Sequence, residues 1–185
     1  MDAGLNYFFG SWRNRVRHLL EEYDAAKARK ERPWSNYYRR ALAVAASLSD
    51  WESVDKLLTW PGPDLRDDDN ERSTEDYYYL IWFASTLRGD STKTAALERR
   101  AIEKSSRRRP KMLMAAADAM LAEDVARMSK ALSGYLRMYL QRELKPNRPD
   151  FGVCIDATAL WHFARRRGLG DVPISPELMI LIPRP

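Results

Sequence analysis

Residues 151–182, FGVCIDATALWHFARRRGLGDVPISPELMILI, contain the signals that decide the fold. Asp156 precedes an apolar stretch and is predicted to be a helix N-cap, since its carboxylate can accept hydrogen bonds from first-turn N–H groups. Leu160 and Phe163 follow at helical spacing and predict one apolar face. Gly168 comes directly after three arginines and is predicted to end the helix at the C′ position with a left-handed backbone.

An apolar tail follows this helix. Residues 172–176 read VPISP and are expected to be largely extended because of their two prolines. Leu178 to Ile182 then forms an uninterrupted apolar run. Such a run is expected to pack against other apolar side chains, so the helix and tail together are predicted to close the core.

Length and composition indicate an ordinary globular protein. The chain has 185 residues, 45% of them hydrophobic and 31% charged, which predicts one domain over residues 1–185, or at most two halves that share a core. No stretch is apolar enough for a membrane span, and the N-terminus lacks the pattern of a signal peptide. Cys154 is the single cysteine, so no intrachain disulfide can form. A cytoplasmic location is expected.

The net charge of +5 is unevenly distributed. Residues 61–90 carry three Lys or Arg against eight Asp or Glu, whereas residues 91–185 carry eighteen against ten. A basic chain therefore contains one acidic segment. The total is compatible with nucleic acid or with an acidic protein as the partner.

Apolar residues recur at helical spacing along most of the chain, and no stretch alternates with a period of two. The sequence therefore predicts an all-α fold, a compact bundle of about eight helices. Ser11 and Asp50 are the predicted N-caps of the first and third helices, and Leu97 is placed on the packed face of the fifth. The helices before Asp156 are predicted at about 11–30, 35–48, 50–59, 74–88, 91–105, 111–121 and 124–144.

These helices fall into pairs that predict antiparallel αα-hairpins. The pairs begin about 37–39 residues apart, a spacing typical of stacked helical repeats such as tetratricopeptide-like proteins. No repeat consensus recurs residue by residue. A plain antiparallel bundle and a true repeat therefore both remain open.

Residues for catalysis or cofactor binding are few. The two histidines, His18 and His162, each lie in a predicted helix. Cys154 lies between two apolar residues, so a packed, inert role is favoured for the cysteine. No glycine-rich phosphate loop is present. Residues 67–78 match the start of a calcium loop but have Arg72 where glycine is required and Tyr78 where glutamate is required. We predict no enzyme activity, cofactor or metal site.

Two arginine clusters, residues 107–109 and 165–167, are positioned to contact phosphates. Both are predicted to lie at helix ends, where arginines complement the helix dipole and stay solvated. Nucleic-acid binding is therefore the weaker interpretation of these clusters.

The acidic segment, residues 64–76, precedes an aromatic helix and has two interpretations. It is either a solvated loop or a negative surface that attracts a basic protein, as in complexes with nucleases and similar toxins. On the second interpretation the candidate toxin-binding residues are Asp64, Asp67, Asp68, Asp69, Glu71 and Asp76.

A family resemblance appears in the C-terminal stretch. Residues 155–160, IDATAL, and 164–169, ARRRGL, followed by the proline-rich apolar tail, resemble the C-terminal signature of the immunity protein 49 family. These are predicted all-α immunity proteins of bacterial polymorphic toxin systems. In the family an aspartate and small residues open a helix that ends close to Ala-Arg-Arg-Gly-Leu. Ala157 stands where the family commonly has glycine, and the resemblance covers about thirty residues.

The resemblance implies a function without catalysis. Such a protein binds a cognate toxin in the cytoplasm as a stoichiometric inhibitor. The signature residues Asp156, Leu160, Phe163 and Gly168 are interpreted as structural, so the resemblance assigns no toxin contacts. A helical-repeat adaptor for another protein is the alternative, followed by a nucleic-acid-binding regulator.

Overall fold

The computed structural model describes residues 3–29, 35–59, 74–88, 93–142 and 153–182. Regular structure in these ranges is entirely helical, which confirms the all-α prediction. The described helices are α1 (Ala3–Ala28), α2 (Ser35–Ser47), α3 (Trp51–Leu58), α4 (Thr74–Leu87), α5 (Lys93–Lys104), α6 (Arg108–Leu121), α7 (Val125–Arg142), α8 (Ile155–Arg166) and α9 (Pro176–Met179).

The helices group into two compact units, divided between Ser105 and Ser106. The first unit contains α1–α5 and the second contains α6–α9. The expectation of one domain over the whole chain stays a prediction.

In the first unit, α1 and α3 both pack on α2, and α4 packs on α5 and on α2. Trp12 and Val16 of α1 are buried. The Tyr38 hydroxyl on α2 donates to the Leu57 carbonyl of α3 at 2.7 Å, which ties the α2–α3 hairpin together. Asp50 is the N-cap of α3 as predicted, with its carboxylate accepting from the Ser53 N–H at 3.2 Å.

Two sequence predictions for this unit are wrong. Ser11 does not cap the first helix, because α1 begins at Ala3 and runs through it. Leu97 of α5 is 61% exposed instead of packed. Ile102 is the buried residue of α5, and at 3.6 residues per turn a position five residues earlier points about 140° away from it.

In the second unit, α6 and α7 form an antiparallel hairpin, and α8 packs on both helices. The core includes Leu132, Tyr135 and Leu136 of α7. Of α8, residues 157–164 are all buried, so this helix is central to its unit. α6 begins at Arg108, three residues before the predicted start, and holds Pro110 in its first turn. Proline is tolerated there because first-turn N–H groups have no intrahelical partner.

The α2–α3 and α6–α7 hairpins turn in the same way. Ser49 and Glu123, 74 positions apart, both have a left-handed backbone with φ of 55° and 57°. The next residue, Asp50 or Asp124, then caps the second helix of the hairpin with its side chain. The antiparallel αα-hairpin prediction is confirmed, and a true sequence repeat stays a prediction.

Candidate functional site

The first turn of α8 contributes to a part-buried polar cluster in the second unit. Asp156 does not cap this helix: Cys154 is the N-cap residue, and no side chain makes a capping bond. The Asp156 carboxylate instead accepts from Arg109 Nη2 at 2.6 Å and lies 3.4 Å from the Tyr135 hydroxyl. The predicted cap is therefore corrected to a tertiary ion pair that joins α6 and α8.

This ion pair also corrects the account of the first arginine cluster. Arg108 and Arg109 lie in the first turn of α6, where the helix dipole disfavours cations. The Asp156 carboxylate neutralises Arg109, and the two side chains are 12% and 28% exposed respectively. The second cluster does match its prediction, since Arg165 and Arg166 lie in the last turn of α8.

Cys154 lies beside this cluster and is buried. Burial raises the pKa of its thiol to about 12, and the Asp156 carboxylate adds to the increase. A thiol with so high a pKa is almost entirely protonated near neutral pH and is a poor nucleophile. The sequence-based assignment of an inert cysteine therefore agrees with its surroundings.

The tail is hydrogen-bonded to both ends of α8. At the helix start, the Cys154 N–H donates to the Leu181 carbonyl at 2.9 Å. Near its end, Trp161 Nε1 donates to the Val172 carbonyl at 3.0 Å. Val172, Leu178, Leu181 and Ile182 are buried, whereas Ile180 is 73% exposed. The packed-tail prediction is confirmed, with one difference: residues 176–179 form the short helix α9.

The remaining signature residues occupy the predicted positions. Leu160 and Phe163 are buried in the core. Gly168 has a φ of 86°, and its N–H donates to the Arg165 carbonyl at 3.0 Å while the Leu169 N–H donates to the Ala164 carbonyl at 3.0 Å. This pair of bonds is the Schellman motif, in which glycine at C′ satisfies the last helix carbonyls.

The two histidines have different surroundings. His162 is buried in α8 with its ring edge-on to Trp161. His18 is exposed on α1, where its Nδ1 is 3.3 Å from a Glu21 oxygen. No group of three or more His, Cys, Asp or Glu side chains that could hold a metal ion occurs within the described ranges.

The first unit has an open groove of about 310 Å³ between α1 and α3. A 2.7 Å ion pair between Lys56 of α3 and Asp24 of α1 joins its two sides. Its charged lining consists of three cations and three carboxylates, so the groove has no net preference for an anion or a cation. The lining residues are Arg13, Val16, Arg17, Leu20, Glu21, Asp24, Asp50, Ser53 and Lys56.

The predicted toxin-binding residues lie outside what the structure describes. Residues 64–71 fall in an undescribed range, and of Asp76 the structure describes only the backbone, in α4. The structure instead brings together Arg109, Tyr135 and Asp156, from three helices. This cluster is not visible in the sequence, because 47 residues separate the two charges and no local pattern joins them.

Two further observations bear on function. No described helix is long and apolar enough to cross a membrane. Comparison of the chain with protein-family models, with curated proteins and with solved structures finds no match in any of the three.

Proposed function

We propose that this chain is an immunity protein, which binds a cognate bacterial toxin in the cytoplasm and neutralises it as a stoichiometric complex. The observation that supports this proposal best is the structural role of the C-terminal signature residues, which hold a helical scaffold together. Leu160 and Phe163 fill the core, Gly168 ends α8, and Asp156 joins α8 to α6. The signature needs no reactive group to carry out this role.

The positions of the single cysteine and of one of the two histidines also support the proposal. Cys154 and His162 are buried beneath the surface of the second unit. A catalytic group must reach the atom that it acts on within hydrogen-bonding distance. The exposed side chains are mainly charged, which suits a protein that acts by binding.

The first test is genomic: a toxin-domain gene is expected beside the chain's gene, and its absence would count against the proposal. The second test is rescue from that toxin. Co-expression is expected to protect cells, and a catalytically inactive toxin is expected to co-purify with this chain in equal amounts. If the chain neither protects the cells nor co-purifies with the toxin, the proposal is refuted. An unrelated toxin serves as the control and should still kill the cells.

The acidic segment is the proposed contact with a basic part of the toxin. Reversing Asp67, Asp68 and Asp69 to Lys is expected to weaken toxin binding without changing the helical circular dichroism signal, because steering by opposite charges is lost. Unchanged affinity would assign these residues to a solvated loop.

A helical-repeat adaptor is the second candidate. The matching turns of the α2–α3 and α6–α7 hairpins favour it. The packing of α2 on α4 also favours it, since the first helices of successive hairpins meet in stacked repeats. The rescue assay separates the two candidates, because an adaptor leaves toxin-expressing cells unprotected.

A further inference from the structure

Four cations lie on the outer side of the α6–α7 hairpin. Arg108 and Lys111 are three residues apart on α6, and Lys130 and Arg137 are seven apart on α7, so each pair follows one side of its helix. Arg108, Lys130 and Arg137 are exposed, and Lys111 is half-buried. We call these four residues the basic face.

The contact between the two helices places both pairs beside one seam. A Cβ added to Gly134 would lie 3.4 Å from Met112 Cε, so these residues mark where α6 and α7 approach each other. Met112 is the neighbour of Lys111, and Gly134 lies four residues after Lys130 and three before Arg137. The cations on the two helices therefore form one continuous surface.

Positive charge exceeds negative charge on this surface and in the unit that carries it. Helix α7 contains four Lys or Arg residues and no Asp or Glu. Asp118, seven residues after Lys111, is a carboxylate on the same side of α6. On the α7 side, the charge of Arg137 contributes to the lowered pKa of Glu177, whose main cause is the hydrogen bond from Ser175. Residues 106–185 carry fourteen Lys or Arg against eight Asp or Glu, a net charge of +6, whereas residues 1–105 carry seventeen against eighteen, a net charge of −1.

Helix stability does not account for two of these cations. Arg108 and Lys111 lie at the N-terminal end of α6, where the helix dipole favours acidic residues. Within the described ranges neither side chain forms an ion pair, in contrast to Arg109 with Asp156. Their placement indicates a requirement for positive charge that lies outside the hairpin itself.

We propose that the basic face is a docking surface for an acidic patch on the toxin; this inference rests on the proposed function. A protein suits the surface better than nucleic acid, because single-stranded nucleic acid is usually held by exposed aromatic side chains as well as by cations. The tyrosines of α7, Tyr135 and Tyr139, are buried and cannot stack on bases.

The test measures binding to the inactivated toxin domain encoded beside the chain's gene. The variant Lys130→Glu/Arg137→Glu is expected to bind at least about tenfold more weakly, mainly through slower association, because opposite charges steer the encounter. The difference should shrink as NaCl rises from about 50 to about 200 mM, since salt screens exposed charges.

The matched control is Arg100→Glu/Lys104→Glu, which makes the same change in net charge at two exposed residues of α5. It is expected to change affinity less than about threefold, because these two residues are not part of the basic face, and charges outside a contact act only through the screened overall field. Circular dichroism verifies that each variant is folded. If the glutamate variant unfolds, Lys130→Gln/Arg137→Gln is measured in its place, with a smaller expected loss.

The outcomes separate the inference from the proposed function. If the wild-type chain binds no toxin, the proposed function fails. If the wild-type chain binds toxin and the basic-face variant has the same affinity as the control variant, the basic face is not the docking surface, while the proposed function stands. A DNA duplex or an RNA strand is the second probe, and tight binding that is lost in the basic-face variant but not in the control would overturn a protein as the occupant.

Discussion

The ion pair between Arg109 and Asp156 gives the sharpest test of the structure. Replacing Asp156 with Ala leaves the Arg109 guanidinium mostly buried at the N-terminal end of α6, where the helix dipole already disfavours a cation. Breaking a fully buried pair costs about 3–5 kcal/mol. Because Arg109 is 28% exposed, water recovers part of this energy, and we expect a loss of about 2–3 kcal/mol in the free energy of unfolding.

The assay is equilibrium unfolding in urea, monitored by circular dichroism. A double-mutant cycle with Arg109→Met isolates the pair, and we expect a coupling energy of about 1–2 kcal/mol. Asp171→Ala is the control, because its 3.0 Å pair with Arg165 is about half exposed on both sides and should contribute less than about 1 kcal/mol. A loss near 1 kcal/mol for Asp156→Ala, additive with Arg109→Met, would match a simple helix cap and refute the tertiary pair.

Three further predictions concern the core, the buried thiol and a helix turn. Phe163→Ala should lower the free energy of unfolding by about 3–5 kcal/mol, as large buried side chains do, and a loss below about 1 kcal/mol in urea unfolding would contradict its packing. Burial raises the pKa of the Cys154 thiol above its value of about 8.5 in the unfolded chain, so the protonated thiol favours the folded state below about pH 8.5. This contribution to the free energy of unfolding is lost as pH rises, at up to about 1.4 kcal/mol per pH unit between about pH 9 and 12. The free energy of unfolding, measured in urea at several pH values across this range, should therefore fall less steeply with pH in Cys154→Ala than in the wild-type chain. Equal dependences on pH would contradict the burial of the thiol. Glu123→Gly should raise the unfolding free energy by about 0.5–1 kcal/mol, because glycine adopts the left-handed backbone of the α6–α7 turn without strain, whereas Glu123→Ala should bring no such gain.

The features predicted correctly from the sequence depend on neighbouring residues. Asp50 caps α3 through an N–H three residues away, and Gly168 ends α8 through bonds within five residues. The apolar stripe of Leu160 and Phe163 is likewise a matter of helical period. Such signals involve a single turn of backbone, so the local sequence is sufficient to specify them.

Two of the features that were missed depend on residues far apart in the chain or on which neighbours pack against a helix. The partner of Asp156 is Arg109, on another helix, and a side chain that has a tertiary partner is no longer available as a cap. The exposure of Leu97 follows from which side of α5 its neighbours cover. The sequence by itself determined that the fold is helical, the hairpin order, the residue that caps the start of α3 and the residue that ends α8. Only the tertiary structure decided how the charges of α6 and α8 pair and which cations remain on the surface, because both depend on distances between helices that no local spacing encodes.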